Sequence, residues 1–268
     1  MPIISKITRG KNNPERYNIF FEDKFAFSVD EAVLVRYQLT KGKEIDQWTI
    51  EEMVFEDQVR KAYNKALHYL GFRMRSEGEV RKKLKEKEFG EAVIDEAVKK
   101  LYTHNFLDDQ AFSEAFMRTQ IKSGKKGPKA IQQEMQTKGI DKQMQKDVLD
   151  SYSEEEQLEV ALGLAEKIAA KEKMKTPSQI KQKINDSLMR KGYSYPLIKL
   201  AIEELELEKD EDQWLDIVAV QGDKLWKKHS NKLSGGQLKS KVKQDLYQKG
   251  FPGEVINEYV EKKENEDE

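Results

Sequence analysis

The chain has 268 residues, of which 36% are charged and 37% hydrophobic, a balance typical of long exposed helices and not of a thick globular core. It contains no cysteine, which excludes disulfide bonds and thiolate metal sites. No apolar run approaches the roughly 20 residues that a membrane span needs, and the first ten residues lack the apolar stretch of a signal peptide. These features predict a soluble cytoplasmic protein.

The net charge of −1 at pH 7 conceals a segregation of charge along the chain. Residues 118–146, 167–199 and 224–249 each carry eight or nine Lys or Arg against one or two acids. Acids dominate 203–216 and the C-terminal 254–268. Such bands fit solvated helix faces of alternating sign, and they also create local basic surfaces that the whole-chain sum hides.

The first sixty residues differ from the rest in being rich in β-branched and aromatic side chains. The segments IISKITR and RYNIFFEDKFAFSV predict two or three antiparallel strands around the breaker-rich GKNNPE and the turn EDK. The segment DEAVLVRYQL predicts a short helix, and a longer helix is predicted from about Ile50 to Met74, with Trp48 near its start. We assign 1–48 to a small β element with a short helix and 49–75 to a lead helix.

Four later segments of the chain are similar to one another. They align on the apolar residues Phe89, Ile140, Tyr193 and Phe251, with further apolar residues nine and five positions before and four and nine after each of them. This spacing predicts a helix, a tight turn and a second helix sharing one apolar stripe. Lysine stands two positions before every aligned residue: Lys87, Lys138, Lys191 and Lys249.

Glycine stands immediately before three of the four aligned residues, where a left-handed residue would end the first helix: Gly139, Gly192 and Gly250. The first copy has Glu88 there and needs another solution.

A third helical segment follows the pair in three copies, with acids at its start and basic residues at its end, as the helix dipole favours. The predicted fold is therefore mainly α: an elongated array of tandem three-helix repeats with a small N-terminal antiparallel β element. The predicted boundaries are 76–125, 126–175 and 176–232 for the full repeats and 233–268 for a partial, two-helix repeat with an acidic tail.

The pattern of the helix starts also accounts for residues 233–237, which by themselves could be taken for a nucleotide-binding motif. LSGGQ at 233–237 has the letters of the signature peptide of ABC-type ATPases, but the chain has no G-x-x-x-x-G-K-[ST] phosphate loop. Ser76, Thr176 and Ser234 each begin an S/T-x-x-E/Q sequence, the pattern of a capping box, just ahead of a first helix. The second copy has Gly127-Pro128, which predicts proline at the first helical position. LSGGQ is thus predicted to be a helix cap.

No catalytic or metal-binding pattern is present. The histidines His68, His104 and His229 are far apart and lack a second ligand at helical spacing. The serines lack a G-x-S-x-G elbow. We therefore expect a binding protein with no cofactor and not an enzyme.

The first helix of every copy is rich in lysine. If these helices share one side of the array, they form a basic track suited to nucleic-acid phosphates or to a periodic acidic protein surface. Few aromatic residues interleave the lysines, which weakens the prediction of a base-stacking surface. The candidate partner-binding residues are Arg73, Arg75, Arg81, Lys82, Lys125, Lys126, Lys129, Lys138, Lys191 and Lys249.

Three segments of residues 62–150 carry a resemblance to a known family. ALHYLGFRMRSEGEVRKKL, LYTHNFLDDQAFSEAFMR and KKGPKAIQQEMQTKGI resemble, in this order, the RecX regulatory proteins, which modulate the RecA recombinase. The N-terminal sheet and the fourth copy resemble the longer RecX proteins of Gram-positive bacteria. The family pattern is matched at Arg73, Arg75, Ser76, Asp108, Asp109, Lys126, Gly127 and Pro128. Ser76 and Gly127-Pro128 already have a capping explanation, and Asp108 is expected to cap the next helix.

The resemblance implies a helical array that lies in the groove of a RecA filament on single-stranded DNA. It implies an effect, which we expect to be inhibition, on recombinase, ATPase and co-protease activities in DNA repair and the SOS response, without catalytic residues. Nothing resembles a coiled-coil seam, so we expect a monomer. The alternative is a helical-repeat protein that binds single-stranded DNA directly through its lysines.

Overall fold

The computed structural model describes residues 1–11 and 13–267, which form two compact units. One unit comprises Met1–Ala115 and Met135–Gln145, and the other comprises Phe116–Glu134 and Lys146–Glu268. The described residues contain three strands and thirteen α-helices, which confirms a mainly α chain with a small N-terminal antiparallel sheet. Across that same part of the chain, none of the helices is both long enough and apolar enough to traverse a lipid bilayer.

The N-terminal strands form one antiparallel sheet in the order β1-β2-β3. Strand β1 spans Ile4–Arg9, β2 spans Arg16–Phe21 and β3 spans Lys24–Asp30. The predicted turn joins β2 to β3 through Glu22 and Asp23, whose φ angles of 48° and 59° match the positive values of a two-residue hairpin turn.

A buried ion pair attaches the sheet to the helix that follows. Asp57 is 2% exposed and lies in helix α2. Its two carboxylate oxygens accept hydrogen bonds from Arg16 Nη1 and Nη2, each at 2.9 Å, and it also accepts the backbone N–H of Asp30 at 2.9 Å. Because one carboxylate satisfies donors from two strands, it determines how β2 and β3 meet the helix.

The helices begin with α1 (Glu31–Arg36) and the long α2 (Gln47–Leu70), close to the predicted short and lead helices. They continue with α3 (Glu77–Lys85), α4 (Glu91–Thr103) and α5 (Asp109–Thr119), after which residues 120–124 form a π-helical turn. The remaining helices are α6 (Pro128–Thr137), α7 (Lys142–Leu149), α8 (Glu154–Lys171), α9 (Pro177–Arg190), α10 (Tyr195–Glu203), α11 (Glu211–Ser230), α12 (Gly235–Gln248) and α13 (Gly253–Asp267). Proline begins α6, as predicted for the second copy.

Three separate apolar cores are each built from a long helix and the helix pair that follows it. These sets are α2 with α3 and α4, α8 with α9 and α10, and α11 with α12 and α13. The repeated apolar positions lie at their centres: Val80, Ile184 and Val242 are each 0% exposed. The boundaries at 76, 126, 176 and 233 stay a prediction.

The turn between the two helices of each pair adopts the expected left-handed conformation. Gly139, Gly192 and Gly250 have φ angles of 77°, 88° and 85°. Glu88 occupies the same position with φ 62°, so the first copy uses the same conformation without a glycine. A side chain at positive φ is sterically unfavourable, which means that the first copy tolerates local strain here.

The capping boxes form in two of the three predicted places. The side chains of Ser76 and Thr176 accept the N–H groups of Glu79 and Gln179, whose side chains bond back to the cap. Ser234 occupies the cap position of α12 but makes no side-chain capping bond, so this prediction is wrong. The next residue, Gly235, has φ 52°, a left-handed conformation that displaces the first turn from capping geometry.

Replacing Glu88 by glycine is expected to raise the free energy of unfolding by about 1 kcal/mol, because glycine adopts positive φ without a steric penalty. Urea denaturation of the full chain measures the change. Lys87→Gly is the matched control: its φ is not positive, so it should lower stability instead. Equal effects of the two substitutions would contradict this account of the turn.

Candidate partner-binding surface

In three of the four copies, the first helix starts against the end of the next copy's first helix. We call the Lys-x-apolar turn that ends a first helix the corner; the four corners are residues 87–89, 138–140, 191–193 and 249–251. Three of them accept hydrogen bonds from the start of the preceding copy's first helix, and we call this the corner contact. One corner contact lies within the first unit and two lie within the second.

The corner contact of the first unit centres on Ser76, which is 0% exposed. Its Oγ donates to the backbone oxygen of Lys138 at 2.6 Å and accepts the N–H of Glu79 at 3.2 Å. The backbones approach so closely that a Cβ built on Gly78 would lie 2.3 Å from the oxygen of Lys138. Glycine at 78 is therefore required by the neighbouring copy and not by the conformation of its own helix.

The second unit repeats this contact with different donors. Backbone N–H groups of Gly127 and Lys129 donate to the oxygens of Lys191 and Gly192 at 2.8 and 3.2 Å. Oγ1 of Thr176 donates to the oxygen of Lys249 at 2.5 Å. The backbone carbonyls at the end of one helix are thus satisfied by the start of another, which accounts for polar groups that would otherwise be buried without partners.

Ser76→Ala is expected to lower the free energy of unfolding by about 2 kcal/mol, because it removes a cap and leaves a partly buried carbonyl without its donor. Ser234→Ala, at the equivalent position without either bond, should change it by less than about 0.5 kcal/mol. Chemical denaturation of both variants measures the difference. Equal losses would contradict the stabilising role assigned to the two hydrogen bonds of Ser76.

Three of the predicted basic residues converge on one carboxylate. Nη2 of Arg73 lies 2.8 Å from Oε1 of Glu79, Nζ of Lys138 lies 3.3 Å from the same oxygen, and Nη1 of Arg75 lies 3.9 Å from it. Burial alone would raise the pKa of Glu79, but the hydrogen bond from Arg73 and the neighbouring cations hold it below its usual value. Sequence reasoning missed this role, although the capping box already indicated that Glu79 points back along the chain.

A cleft of about 370 Å³ opens beside this cluster. Its lining includes Tyr69, Lys82, Lys83, Thr137 and Lys138. Tyr69 also supports the guanidinium of Arg75, which lies 4.2 Å from the centre of its ring. Glu79 and Glu86 also line the cleft and pair with Lys138 and Lys83, so its surface carries charges of both signs.

The other predicted residues of the first copy are arranged differently. Arg81 bonds to Glu77 and Asp95, each at 2.6 Å, and so connects α3 to α4. Burial lowers the pKa of Arg81, but the hydrogen bonds that Arg81 donates to these two carboxylates outweigh it and raise that pKa. Lys82 is exposed on the same helix and therefore accessible to a partner.

The predicted lysines of the later copies divide into internal and exposed groups. Lys126 pairs with Glu134, and Nζ of Lys191 donates to the backbone oxygen of Gly124 at 3.0 Å. Lys125 has a left-handed backbone with φ 48°, and Lys249 contributes its carbonyl to a corner contact. Lys129 is exposed, as is Lys181 on the equivalent helix of the third copy.

Asp108 and Asp109 have separate structural tasks. Asp108 Oδ1 accepts the N–H of Ala111 at 2.9 Å, which confirms the expected cap of α5. Asp109 Oδ1 accepts the N–H of Glu77 at 2.7 Å and so contacts the first turn of α3. Burial, with the nearby charges of Glu77, Asp108 and Glu79, raises the pKa of Asp109 to about 6.

Asp109→Asn is expected to stabilise the protein at pH 7.5 and to lose most of this advantage by pH 4.5. The raised pKa means that the folded protein binds an extra proton at low pH, so the stability from Asp109 is present below its unfolded pKa of about 3.9 and is lost as pH rises through about 6. Asparagine keeps the hydrogen-bond acceptor without the charge. Urea denaturation at the two pH values measures the effect, and a pH-independent difference would contradict it.

The three histidines bind other side chains of the protein. His68 stacks edge-on against Phe72, His104 Nδ1 lies 3.1 Å from the hydroxyl of Tyr63, and His229 Nε2 lies 2.9 Å from Asp245. Within residues 1–11 and 13–267, no group of three or more histidines and carboxylates is arranged to hold a metal ion.

These observations define a protein of tandem three-helix modules, with a small N-terminal sheet, that carries exposed basic residues on its first helices. Four family models of one regulatory protein match it: the RecX N-terminal domain at 2–46, the first three-helix domain at 62–101, the second at 108–149, and the third at both 154–202 and 211–260. The chain belongs to the RecX family of regulatory proteins. The duplicate match of the third domain agrees with the similarity of the third and fourth copies.

Full-length relatives show the same relationship. A Regulatory protein RecX of Bacillus velezensis and one of Bacillus subtilis are each 40% identical over 266 residues, covering 98% of this chain and 100% of theirs. A crystal structure of a regulatory protein RecX aligns with a TM-score of 0.63 at 35% identity, covering 76% of this chain and 100% of its own. The structure of RecX from Lactobacillus salivarius aligns with a TM-score of 0.54 at 35% identity, covering 57% and 99%.

Proposed function

We propose that this protein binds the RecA filament on single-stranded DNA, in its helical groove, and inhibits the recombinase, ATPase and co-protease activities of RecA. Membership of the RecX family supports a regulatory role, and the similar proteins are named regulatory proteins. The observation that carries the proposal is the corner contact, which occurs three times with the same part of the helix pair. A repeated contact sets a repeated register between neighbouring first helices within each unit.

The exposed lysines of those helices supply the binding chemistry. Lys82, Lys129 and Lys181 lie on the first helices of three successive copies and are exposed. A filament presents the same protomer surface at regular intervals, so a chain with repeated basic helices gains affinity from several linked weak contacts. Occupying the groove would obstruct DNA, protein substrates and the exchange of protomers. The ten basic residues predicted from the sequence, and the equivalent residues of the other copies, remain candidates for the contact with the filament.

The substitution Lys82→Glu, Lys129→Glu, Lys181→Glu tests the proposal. In a RecA ATPase assay on single-stranded DNA, the wild-type protein should suppress ATP turnover at amounts well below those that coat the DNA. The triple variant should require about tenfold more protein, because three favourable charge contacts become repulsive. The matched control carries the same change at exposed lysines of the long helices α8 and α11: Lys167→Glu, Lys224→Glu, Lys228→Glu. The amount of this control variant needed to suppress ATP turnover should be within about twofold of the wild-type amount.

Repeating the titration at two salt concentrations separates this function from the alternative. A protein that acts by binding single-stranded DNA would need stoichiometric coating and would lose affinity steeply as salt increases. An adaptor for an unrelated protein would not suppress ATP turnover at either salt concentration. Equal activity of the triple variant and its control would eliminate the first helices as the binding surface.

A further inference from the structure

The first and the last copy each have one side of a corner contact that no other copy covers: the corner at residues 87–89 and the helix start at Ser234. The helix starts at Ser76 and Thr176 are covered and 0% exposed, whereas the equivalent Ser234 is exposed. The aligned residues of the three covered corners are buried: Ile140 at 4%, Tyr193 at 1% and Phe251 at 3% exposed. Their counterpart Phe89, in the first corner, is only partly buried, and Lys87 and Glu88 beside it are exposed.

We propose that the helix start of the fourth copy binds the first corner of a second copy of this chain. The proposed binding site is a groove of about 1160 Å³ at the start of α12. It is lined by Leu233, Ser234, Gly236, Gln237, Ser240, Lys241 and Gln244. The occupant is residues 87–89, which already have the left-handed turn that the three internal corners present. Because the two halves are different surfaces of one chain, the association is head-to-tail and open-ended.

The backbone on both sides leaves room for the contact. In the first unit, Gly78 lies two residues after Ser76, and a Cβ built on the facing Gly139 would be 3.0 Å from its Cα. Gly236 lies two residues after Ser234 in the same way and has nothing within 4 Å of a built Cβ. Glu88 has a Cβ at the corner position where the other copies have glycine, whereas Gly236 on the facing helix has none. A backbone shift of a few tenths of an ångström therefore gives the Cβ of Glu88 room against Gly236.

Capping geometry favours the same occupant. Lys87 would approach Gln237 as Lys138 approaches Glu79, whereas Lys239 and Lys241 on this helix already pair with Glu264 and Asp245. Both capping boxes that form do so at hydroxyls engaged by a corner carbonyl, whereas the unformed box at Ser234 has no corner. Docking of a second copy would supply the carbonyl acceptor and draw Ser234 into the geometry that Ser76 and Thr176 adopt.

Sedimentation velocity of the full chain over a range of concentrations tests the proposal without RecA or DNA, so its failure leaves the proposed function untouched. The weight-average sedimentation coefficient should rise with concentration. Glu88→Gly should shift this rise to about tenfold lower concentration, because it removes the tight Cβ. Gly236→Arg should abolish the rise while the protein stays folded, because a side chain there enters open space within one chain. Concentration-independent sedimentation of both wild type and Glu88→Gly would overturn the proposal, as would self-association of Gly236→Arg at the wild-type level.

Cysteine cross-linking identifies the surfaces directly, since the natural chain has no cysteine. A mixture of Lys87→Cys and Gln237→Cys proteins, treated with a short bis-maleimide, should give a dimer. Lys87→Cys mixed with Tyr247→Cys, an exposed position at the other end of α12, should not. Equal yields from the two mixtures would contradict the assigned surfaces. Cross-linking only within a single Lys87→Cys, Gln237→Cys chain, with none between chains, would show that the two halves close on one another and would refute the head-to-tail contact.

Discussion

The hydrogen bond between the start of one helix and the last carbonyls of the next copy's helix is the interaction on which the repeat depends. Ser76, Thr176 and the backbone of Gly127 perform the same task in three places, with donor–acceptor distances of 2.5–2.8 Å. Each bond satisfies a partly buried carbonyl at a helix end, so its loss would be costly. The close approach of the two backbones explains Gly78 and Gly139 in one contact and Gly127 and Gly192 in another, whereas Ser178 faces Gly250 in the third.

This contact changes the meaning of the lysine two positions before each aligned apolar residue. Its recurrence suggested a binding function, yet the structure uses the backbone carbonyl of three of these lysines. The side chains of Lys138 and Lys191 also return to their own protein, one to Glu79 and the other to Gly124. The lysines that project freely, such as Lys82 and Lys129, lie elsewhere on the same helices. The recurrence of a residue in every copy therefore does not show whether the residue stabilises the fold of each copy or contacts a partner.

The modules of the chain pack separately, and hydrogen bonds of polar groups connect them within each unit. Separate apolar cores let each module fold around its own long helix, while the corner contacts set the register between neighbours within each unit. The Arg16–Asp57 ion pair attaches the sheet to the first long helix in a similar way, because Arg16 provides hydrogen bonds to the buried carboxylate of Asp57. At the ends of the series the corresponding groups are exposed: Ser234 at the last helix start, and Lys87 and Glu88 at the first corner.

The amino-acid sequence by itself determined the helix pairs, the left-handed turns and the sheet, because apolar spacing, glycine positions and strand propensities act over a few neighbouring residues. It also sufficed to identify the family. Only the tertiary structure decided that Ser76 bonds to a residue 62 positions away, that Lys138 faces inward, and that Ser234 lacks its cap. Those outcomes depend on whether another copy lies against the helix start, and no local pattern encodes the presence of a neighbour. Glu88 shows the limit most clearly: no preceding copy covers its corner, so glycine is not enforced there.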